Sequence, residues 1–254
     1  MNAVILCAGF ATRMYPLTRD FPKPLLPVAD RPVIDHLMDQ IAELPGLRAV
    51  HVISNRKFID HYATWREVRK SSDGPEGVRI ELHDNGVTAN EKRLGAAADL
   101  QLVFKRISEP SRVLVSAGDN IYRFSFKLLW EVFVESEHHY VVALPETDPA
   151  KLKKTGVLEL TQNDRVLRLH EKSQNPPSTW SCPPLYFLQP SAWPILQKFV
   201  ENADNLDAPG HFLDYLCRTE NVAAFKLNAS RLDIGSIDSF REANRFLGGK
   251  PLII

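Results

Sequence analysis

The sequence lacks an excess of charge of either sign. Its 254 residues include 31 Lys and Arg and 31 Asp and Glu, so the formal net charge is zero. A protein whose main partner is nucleic acid usually presents a net basic surface, and we therefore expect no nucleic-acid partner. Hydrophobic residues make up 44% of the chain, which is enough for a full core and excludes disorder over most of its length.

Long hydrophobic runs and paired cysteines are also missing. No uninterrupted apolar stretch approaches the ~18–20 residues of a membrane-spanning helix, and we expect no membrane association. The first residues carry no basic segment followed by an apolar signal core. The three cysteines, Cys7, Cys182 and Cys217, are widely spaced, so neither a disulfide framework nor a CxxC zinc site is expected. These features favour a reducing, cytoplasmic compartment.

Short apolar runs alternate with helical patterns in the first half of the chain. The run Ala3–Cys7 is unbroken, as in a strand buried within a parallel sheet, and a helical pattern covers Pro32–Leu44. After Pro145 the pattern changes to a β-hairpin with its turn at residues 162–164. A final helix runs from Ser236, which can cap it, to Leu247. We predict an α/β fold: a Rossmann-like, mostly parallel sheet flanked by helices, with a small antiparallel lobe.

The loop that follows the first predicted strand carries the most informative pattern. Ala8, Gly9 and Ala11 are small, and they lie at the sheet edge where ligands of open α/β folds bind. The backbone can approach a phosphate there, and its N–H groups can contact anionic oxygens. Arg13 and Lys23 add two cations of different geometry. Five prolines stiffen this connection: Pro16, Pro22, Pro24, Pro27 and Pro32.

This loop resembles the N-terminal signature of the sugar-1-phosphate nucleotidyltransferases, the glucose-1-phosphate thymidylyltransferase-like family. The family pattern is a Gly/Ala-rich turn, Thr-Arg, Pro-x-Thr and Pro-Lys-Pro, and its spacing is not that of a P-loop. The corresponding elements here are Ala8–Ala11, Thr12-Arg13, Pro16–Thr18 and Pro22–Pro24. Later segments resemble the family in the same order: Leu94–Leu100, Val113–Asn120, Thr155–Val157, Glu171-Lys172 and Asp233–Gly235.

The resemblance implies a set of site residues in four groups. The catalytic candidates are Arg13 and Lys23. The nucleotide-binding candidates are Ala8, Gly9, Phe10, Ala11, Thr12, Asn85, Gly86 and Gly95, with Asn85-Gly86 as reader of the base edge. The acceptor-binding candidates are Asn120, Gly156, Glu171 and Lys172, with Lys172 on the acceptor phosphate and Glu171 on sugar hydroxyls; His211 is a weaker candidate. The metal candidates are Asp119 and Asp233, because Mg²⁺ prefers hard oxygen ligands; Asp119 taken alone also suits a turn or helix cap.

The activity that the resemblance implies is transfer of a nucleotidyl group from an NTP to a sugar 1-phosphate, giving an NDP-sugar and pyrophosphate. Residues 1–254 form one domain on this interpretation. Its first part, 1–145, mainly binds the nucleotide, and its second, 146–254, mainly binds the acceptor and supplies the second metal ligand. The sequence leaves open which NTP and which phosphorylated acceptor are used. It also leaves the oligomeric state open, and a homo-oligomer is among the states that remain.

Ser173 replaces the proline that follows Glu171-Lys172 in the family pattern. Two further departures lie where the sugar is expected to bind: Thr155 replaces an aromatic residue before the hairpin glycine, and Pro183-Pro184 replaces a Thr-Gly or Asn-Gly pair. One alternative is therefore a cytidylyltransferase for choline phosphate or an inositol phosphate, with Trp180 and Tyr186 as the aromatic candidates for a choline cage. An alternative of another class is a non-catalytic, nucleotide-sugar-binding regulatory protein.

Overall fold

The computed structural model describes residues 1–71 and 78–249. The strands are β1 (Asn2–Leu6), β2 (Pro27–Val28), β3 (Arg31–Pro32), β4 (Ala49–Ser54), β5 (Arg79–Asp84), β6 (Val113–Ala117), β7 (Asn120–Tyr122), β8 (His139–Pro145), β9 (Gly156–Leu160), β10 (Val166–Glu171), β11 (Trp180–Cys182), β12 (Leu185–Leu188), β13 (Val222–Lys226) and β14 (Arg231–Asp233). The helices are α1 (Val33–Ala42), α2 (Ile59–Ser71), α3 (Ala96–Phe104), α4 (Phe126–Val134), α5 (Pro149–Leu152), α6 (Ala192–Asn202), α7 (Pro209–Thr219) and α8 (Ile237–Phe246).

Ten strands of the described chain form one central sheet. Their order is β10-β9-β11-β8-β12-β6-β1-β4-β5, and β13 pairs with β8. The strands β6, β1, β4 and β5 are parallel to one another, whereas β12 runs antiparallel to both β6 and β8. The predicted α/β fold is confirmed. The antiparallel strands β9, β10 and β11 continue the same sheet.

The core lies on both faces of this sheet, because neighbouring side chains of a strand point to opposite sides. In β1, Ala3 and Ile5 pack with residues of α1, α2 and α4, while Val4 packs with residues of α3, α6 and α7. The buried face of α1 is a stripe with helical spacing, formed by Ile34, Leu37, Met38 and Ile41. Each such buried side chain contributes about 1.5–3 kcal/mol through removal from water. None of the described helices is long and apolar enough to cross a membrane.

Two parts of the fold bring distant residues to one edge of the sheet. The parallel strands β1 and β6 are in register, so both end at the same level, Leu6 opposite Ala117. Beside them, β7 and β14 form a two-stranded antiparallel ribbon in which Asp233 lies opposite Asn120. The helix α8 begins directly after this ribbon, and a capping box between Ser236 and Ser239 fixes its start.

Candidate active site

Buried polar side chains hold the loop after β1 in one shape. The Asn55 side-chain amide donates to the Ala8 carbonyl at 3.0 Å, and the Thr18 hydroxyl donates to the Ala11 carbonyl at 2.8 Å. Both Asn55 and Thr18 are fully buried. Because these bonds lie inside the protein, they fix the loop independently of any ligand.

The loop presents one open side to solvent. Gly9 is exposed, and a Cβ added there would meet no atom within 4 Å. Ala11 has a left-handed conformation with φ of 49°, and Thr12–Met14 then forms one turn of 3₁₀-helix. Phe10 points the other way and packs in the core against Phe58. The space beside Gly9 is therefore available to a ligand, whereas the Phe10 side chain anchors the loop in the core.

Lys23 and Asp119 form an ion pair at the end of β6. The Lys23 ammonium donates to Asp119 Oδ2, while Asp119 Oδ1 accepts from the Asn120 side chain at 2.7 Å. Burial alone would raise the pKa of Asp119, but Lys23 and then Arg231 outweigh it and hold this pKa below its usual value. The preceding Gly118 permits the close packing, because a Cβ there would lie 2.5 Å from Cys7 Sγ.

The β7–β14 ribbon places a second carboxylate next to the first. The Ile234 amide donates to the Asp119 carbonyl at 3.0 Å, so Asp233 lies beside Asp119 and Asn120. About half of the Asp233 side chain, 51%, is exposed. Its partial burial raises the pKa of Asp233, and the nearby Asp119 carboxylate adds to this, against the opposing charges of Arg231, Lys23 and Arg13. The pair therefore favours an added cation.

Arg231 is a site residue that the sequence reasoning missed. Its guanidinium donates to Asn120 Oδ1 and lies 3.5 Å from Asp233 Oδ2. Residues 231 and 233 share a strand face because strand side chains alternate, and this spacing was the available signal. Arg13 is exposed on the opposite loop, and its charge also lowers the pKa of Asp233.

The acceptor candidates Glu171 and Lys172 lie at the end of β10. Glu171 pairs in register with Gly156 on β9. Burial raises the pKa of Glu171, opposed by Lys172 and His211. Lys172 has a φ of 50°, in the region that favours glycine, and 63% of its side chain is exposed. The Lys172 ammonium lies 3.9 Å from Glu171 Oε1, so both candidate side chains lie together at the end of this strand.

Gly210, in the first turn of α7, is a second residue that the sequence reasoning missed. A Cβ on Gly210 would lie well under 3.0 Å from Glu171 Oε2, closer than real Cβ atoms approach a neighbour. Glycine therefore lets α7 pack directly against the Glu171 carboxylate without displacing it. No local pattern signals this contact, since it joins residues 39 positions apart across two elements.

The candidate base-binding segment is tightly organised by its own hydrogen bonds. Asn85 Nδ2 donates to Asp99 Oδ1 at 2.8 Å, and Asn85 Oδ1 accepts from the Val87 amide at 2.9 Å. Gly86 follows with a φ of 79°. The Asn85 side chain thus has one partner at each end, and the turn at Gly86 exposes the backbone of this segment.

The start of α3 is covered by the segment that precedes α7. Gly95 has a φ of 93°, and a Cβ there would collide with the Leu206 backbone. The Ala96 and Ala97 amides donate to the carbonyls of Asp207 and Leu206 at 3.2 Å. Arg93 closes the contact with a bidentate pair to Asp207, at 2.6 and 3.0 Å. Gly95 therefore allows the start of α3 to pack directly against the backbone of the segment before α7.

The structure brings the candidate residues into two charged clusters. The first contains Lys23, Asp119, Asn120 and Asp233 together with Arg231. The second contains Gly156, Glu171 and Lys172 together with Gly210. Gly156 of the second cluster pairs with Cys182 on β11, and Leu185 on the next strand, β12, pairs with Ser116 on β6, the strand that leads to Asp119 of the first cluster. The two clusters therefore flank the same part of the sheet.

A family model described as "Nucleotidyl transferase" matches residues 2–249. The bifunctional protein GlmU of Methanocaldococcus jannaschii is 24% identical over 249 residues, which cover 97% of this chain and 54% of that protein. The UTP–glucose-1-phosphate uridylyltransferase AglF of Haloferax volcanii is 26% identical over 97% of this chain and 96% of its own length. The chain thus spans about half the length of GlmU and nearly all of AglF.

A solved structure shows the same fold. The UTP-bound UGPase from Acinetobacter baumannii superposes with a TM-score of 0.80 at 17% identity, covering 97% of this chain and 93% of that one. At this identity the likeness concerns the fold. The family match nevertheless spans β1 to the end of α8, including both charged clusters. The chain belongs to the nucleotidyl transferase family.

Proposed function

We propose that this protein transfers a nucleotidyl group from an NTP to a sugar 1-phosphate and releases pyrophosphate. The observation that carries the proposal is the first charged cluster. Two carboxylates and two cations, Lys23 and Arg231, lie at the carboxyl ends of the strands, where open α/β folds bind ligands. The loop that carries the exposed Gly9 begins next to them, because β1 and β6 end side by side.

The reaction needs two anions brought together. An oxygen of the acceptor phosphate attacks the α-phosphorus of the NTP in line, and the bond to pyrophosphate breaks. We assign Arg13 and Lys23 to offset the repulsion between the phosphates, with positioning as the other contribution. On this proposal residues 1–145 mainly bind the nucleotide, and residues 146–254 mainly bind the acceptor and supply the second metal ligand, Asp233.

The carboxylates of Asp119 and Asp233 suit a hard divalent cation, and we propose Mg²⁺. The donor set consists of oxygens, and Asp233 is open to the cleft. When bound, the ion would neutralise phosphate charge during the transfer. Lys23, which now neutralises Asp119, is then free to contact a phosphate oxygen. Arg231 keeps Asn120 and Asp233 in their relative positions.

The acceptor cluster supports a sugar phosphate over choline phosphate. Glu171 can accept hydrogen bonds from hydroxyls, and the exposed Lys172 can bind the phosphate. Choline would need an aromatic cage. Tyr186 is instead buried in the core, and the Lys226 ammonium lies 4.9 Å from the centre of the Trp180 ring. A quaternary ammonium at Trp180 would be repelled by this neighbouring cation.

A pyrophosphate-release assay tests the proposal. Each NTP is combined with a panel of sugar 1-phosphates, choline phosphate and inositol phosphate, with and without a chelator. We expect metal-dependent release with at least one sugar 1-phosphate. Lys172→Ala should raise the acceptor KM strongly and the NTP KM little, because the phosphate contact persists from ground state to transition state.

Two outcomes would contradict this proposal. Release with choline phosphate and with no sugar would overturn the acceptor, especially if Trp180→Ala abolished it. Binding of nucleotide sugars without release from any pair would favour a regulatory protein instead.

A further inference from the structure

Two buried histidines and a glutamate lie close together on the neighbouring parallel strands β4 and β5. His51 lies on β4, and Glu81 and His83 lie on the edge strand β5. His51 is opposite Glu81 in the strand register, and their side chains lie on the sheet face that α3 covers. Both histidines are buried, while 30% of the Glu81 side chain is exposed at the edge.

One hydrogen bond joins the two imidazoles. His51 Nδ1 lies 2.9 Å from His83 Nε2, and His51 Nε2 lies 3.4 Å from the Asn2 side-chain oxygen. That oxygen accepts, so His51 carries its proton on Nε2 and its Nδ1 lone pair accepts from His83 Nε2–H. Burial lowers the pKa of both imidazoles, to about 4 for His83. The pair is therefore neutral near pH 7.

We propose that His51 Nδ1, His83 Nε2 and Glu81 Oε2 form a binding site for a divalent transition-metal ion of the zinc type. All three ligand atoms lie within 4.8 Å of one another. Metal bonds of about 2.0–2.1 Å in a tetrahedron place neighbouring ligand atoms about 3.3–3.4 Å apart. His51 Nδ1 and Glu81 Oε2 already lie 3.4 Å apart. The metal would replace the proton on His83 Nε2, His83 would then carry its one proton on Nδ1, and the two nitrogens would separate by about 0.4 Å.

Neighbouring groups already orient two of the ligands. Asn2 holds the His51 tautomer whose Nδ1 lone pair faces His83. Arg79 pairs with Glu81 Oε1, which leaves Oε2 directed towards His51. Such outer hydrogen bonds fix ligand orientation in known metal sites.

Arg106 opposes metal binding, and this gives the proposal a sharp test. Its Nη1 lies 3.5 Å from His83 Nδ1, which must carry a proton once Nε2 binds a metal. Arg106 is exposed just after α3, so its side chain can turn away. Removing the guanidinium should therefore tighten binding.

The site is chemically distinct from the proposed catalytic one. Imidazole ligands favour zinc, copper or nickel, whereas the carboxylates of Asp119 and Asp233 favour magnesium or calcium. A bound ion would join the edge strand β5 to β4. The inference does not depend on the proposed transferase activity.

Cobalt(II) is the probe for the experiment. The whole purified protein, freed of metal by a chelator, is titrated with Co²⁺, and the intense visible absorption of tetrahedral Co²⁺ is recorded. We expect one equivalent to bind, Zn²⁺ to displace it, and the melting temperature to rise. Glu81→Gln and His83→Gln should each weaken binding by about 10-fold or more, and Arg106→Gln should strengthen it.

Two variants serve as matched controls. His170→Gln breaks another His–Glu pair, in which His170 Nε2 lies 2.9 Å from Glu159 Oε2, and it should leave the spectrum unchanged. Asp233→Asn removes a proposed magnesium ligand and should also leave it unchanged. X-ray absorption of the zinc-loaded wild-type protein should show two imidazoles, and this measurement needs no variant to fold.

The proposal is overturned if no tetrahedral spectrum forms, if Glu81→Gln and His83→Gln keep it at full strength, or if the zinc shell lacks two imidazoles.

Discussion

Replacing Gly210 with alanine places a methyl group against the Glu171 carboxylate. The added Cβ would lie well under 3.0 Å from Glu171 Oε2 and 2.8 Å from Leu169 Cδ2. Both are ends of flexible side chains, so they can move while the backbone stays in place. Restoring ordinary contact requires the carboxylate to shift by about 1 Å. The fold should therefore survive, with Glu171 displaced.

The size of the effect follows from that displacement. A hydrogen bond to a charged carboxylate contributes about 1.5–3 kcal/mol, and a misplacement of about 1 Å at a reactive site can cost about 10²-fold in rate. If Glu171 binds acceptor hydroxyls, Gly210→Ala should lower kcat/KM for the sugar 1-phosphate by about 10- to 100-fold. The KM for the NTP should stay close to the wild-type value.

Steady-state pyrophosphate release, with each substrate varied in turn, measures both quantities. Gly156→Ala, at another candidate of the same cluster, is the milder counterpart, because its Cβ would lie 3.3 Å from Glu171 Oε2 and 3.2 Å from Leu169 Cδ2. These distances are tight but tolerable, and we expect a loss of only a few-fold. An unchanged acceptor kcat/KM in Gly210→Ala, with the protein folded by circular dichroism, would refute the role of Glu171. So would a rise in the KM for the NTP as large as the loss for the acceptor.

Three further predictions concern the nucleotide side. Gly9→Ala should keep the wild-type melting temperature, since its Cβ meets no atom, but should raise the KM for the NTP; a wild-type KM would mean that the phosphates lie elsewhere. Lys23→Ala should lower turnover by about 10²-fold and also lower the melting temperature, because it removes the ion-pair partner of the partly buried Asp119; near-normal turnover would exclude its catalytic role. Burial raises the pKa of Asp99 to about 6, partly opposed by Asn85, so the native state keeps this proton between about pH 4 and 6, where the unfolded chain has lost it. Stability from this group therefore decreases as the pH rises through that window. Asp99→Asn should exceed the wild-type unfolding free energy at pH 7 by an amount of the order of 1–3 kcal/mol and match it near pH 4, as measured by urea denaturation; a constant difference across pH would contradict the assignment.

The sequence by itself determined the alternation of strands and helices and the loop that follows β1. These features depend on local rules: unbroken apolar runs form buried strands, and apolar stripes of helical spacing form helices. The capping box at Ser236 and Ser239 is equally local. By contrast, α2 shows a weak apolar stripe because charged residues surround its buried Tyr62 and Trp65. This helix can be recognised only from the structure, in which those two side chains pack in the core.

The tertiary structure alone decided which distant residues meet. Arg231 reaches Asn120 because β14 pairs with β7, and Gly210 touches Glu171 because α7 packs on β10. His51 and His83 meet because β4 and β5 are neighbours in parallel register. Strand order and register are set by the sum of many contacts over the whole sheet, and a shift of one residue would turn each of these side chains to the opposite face. No local pattern contains that information.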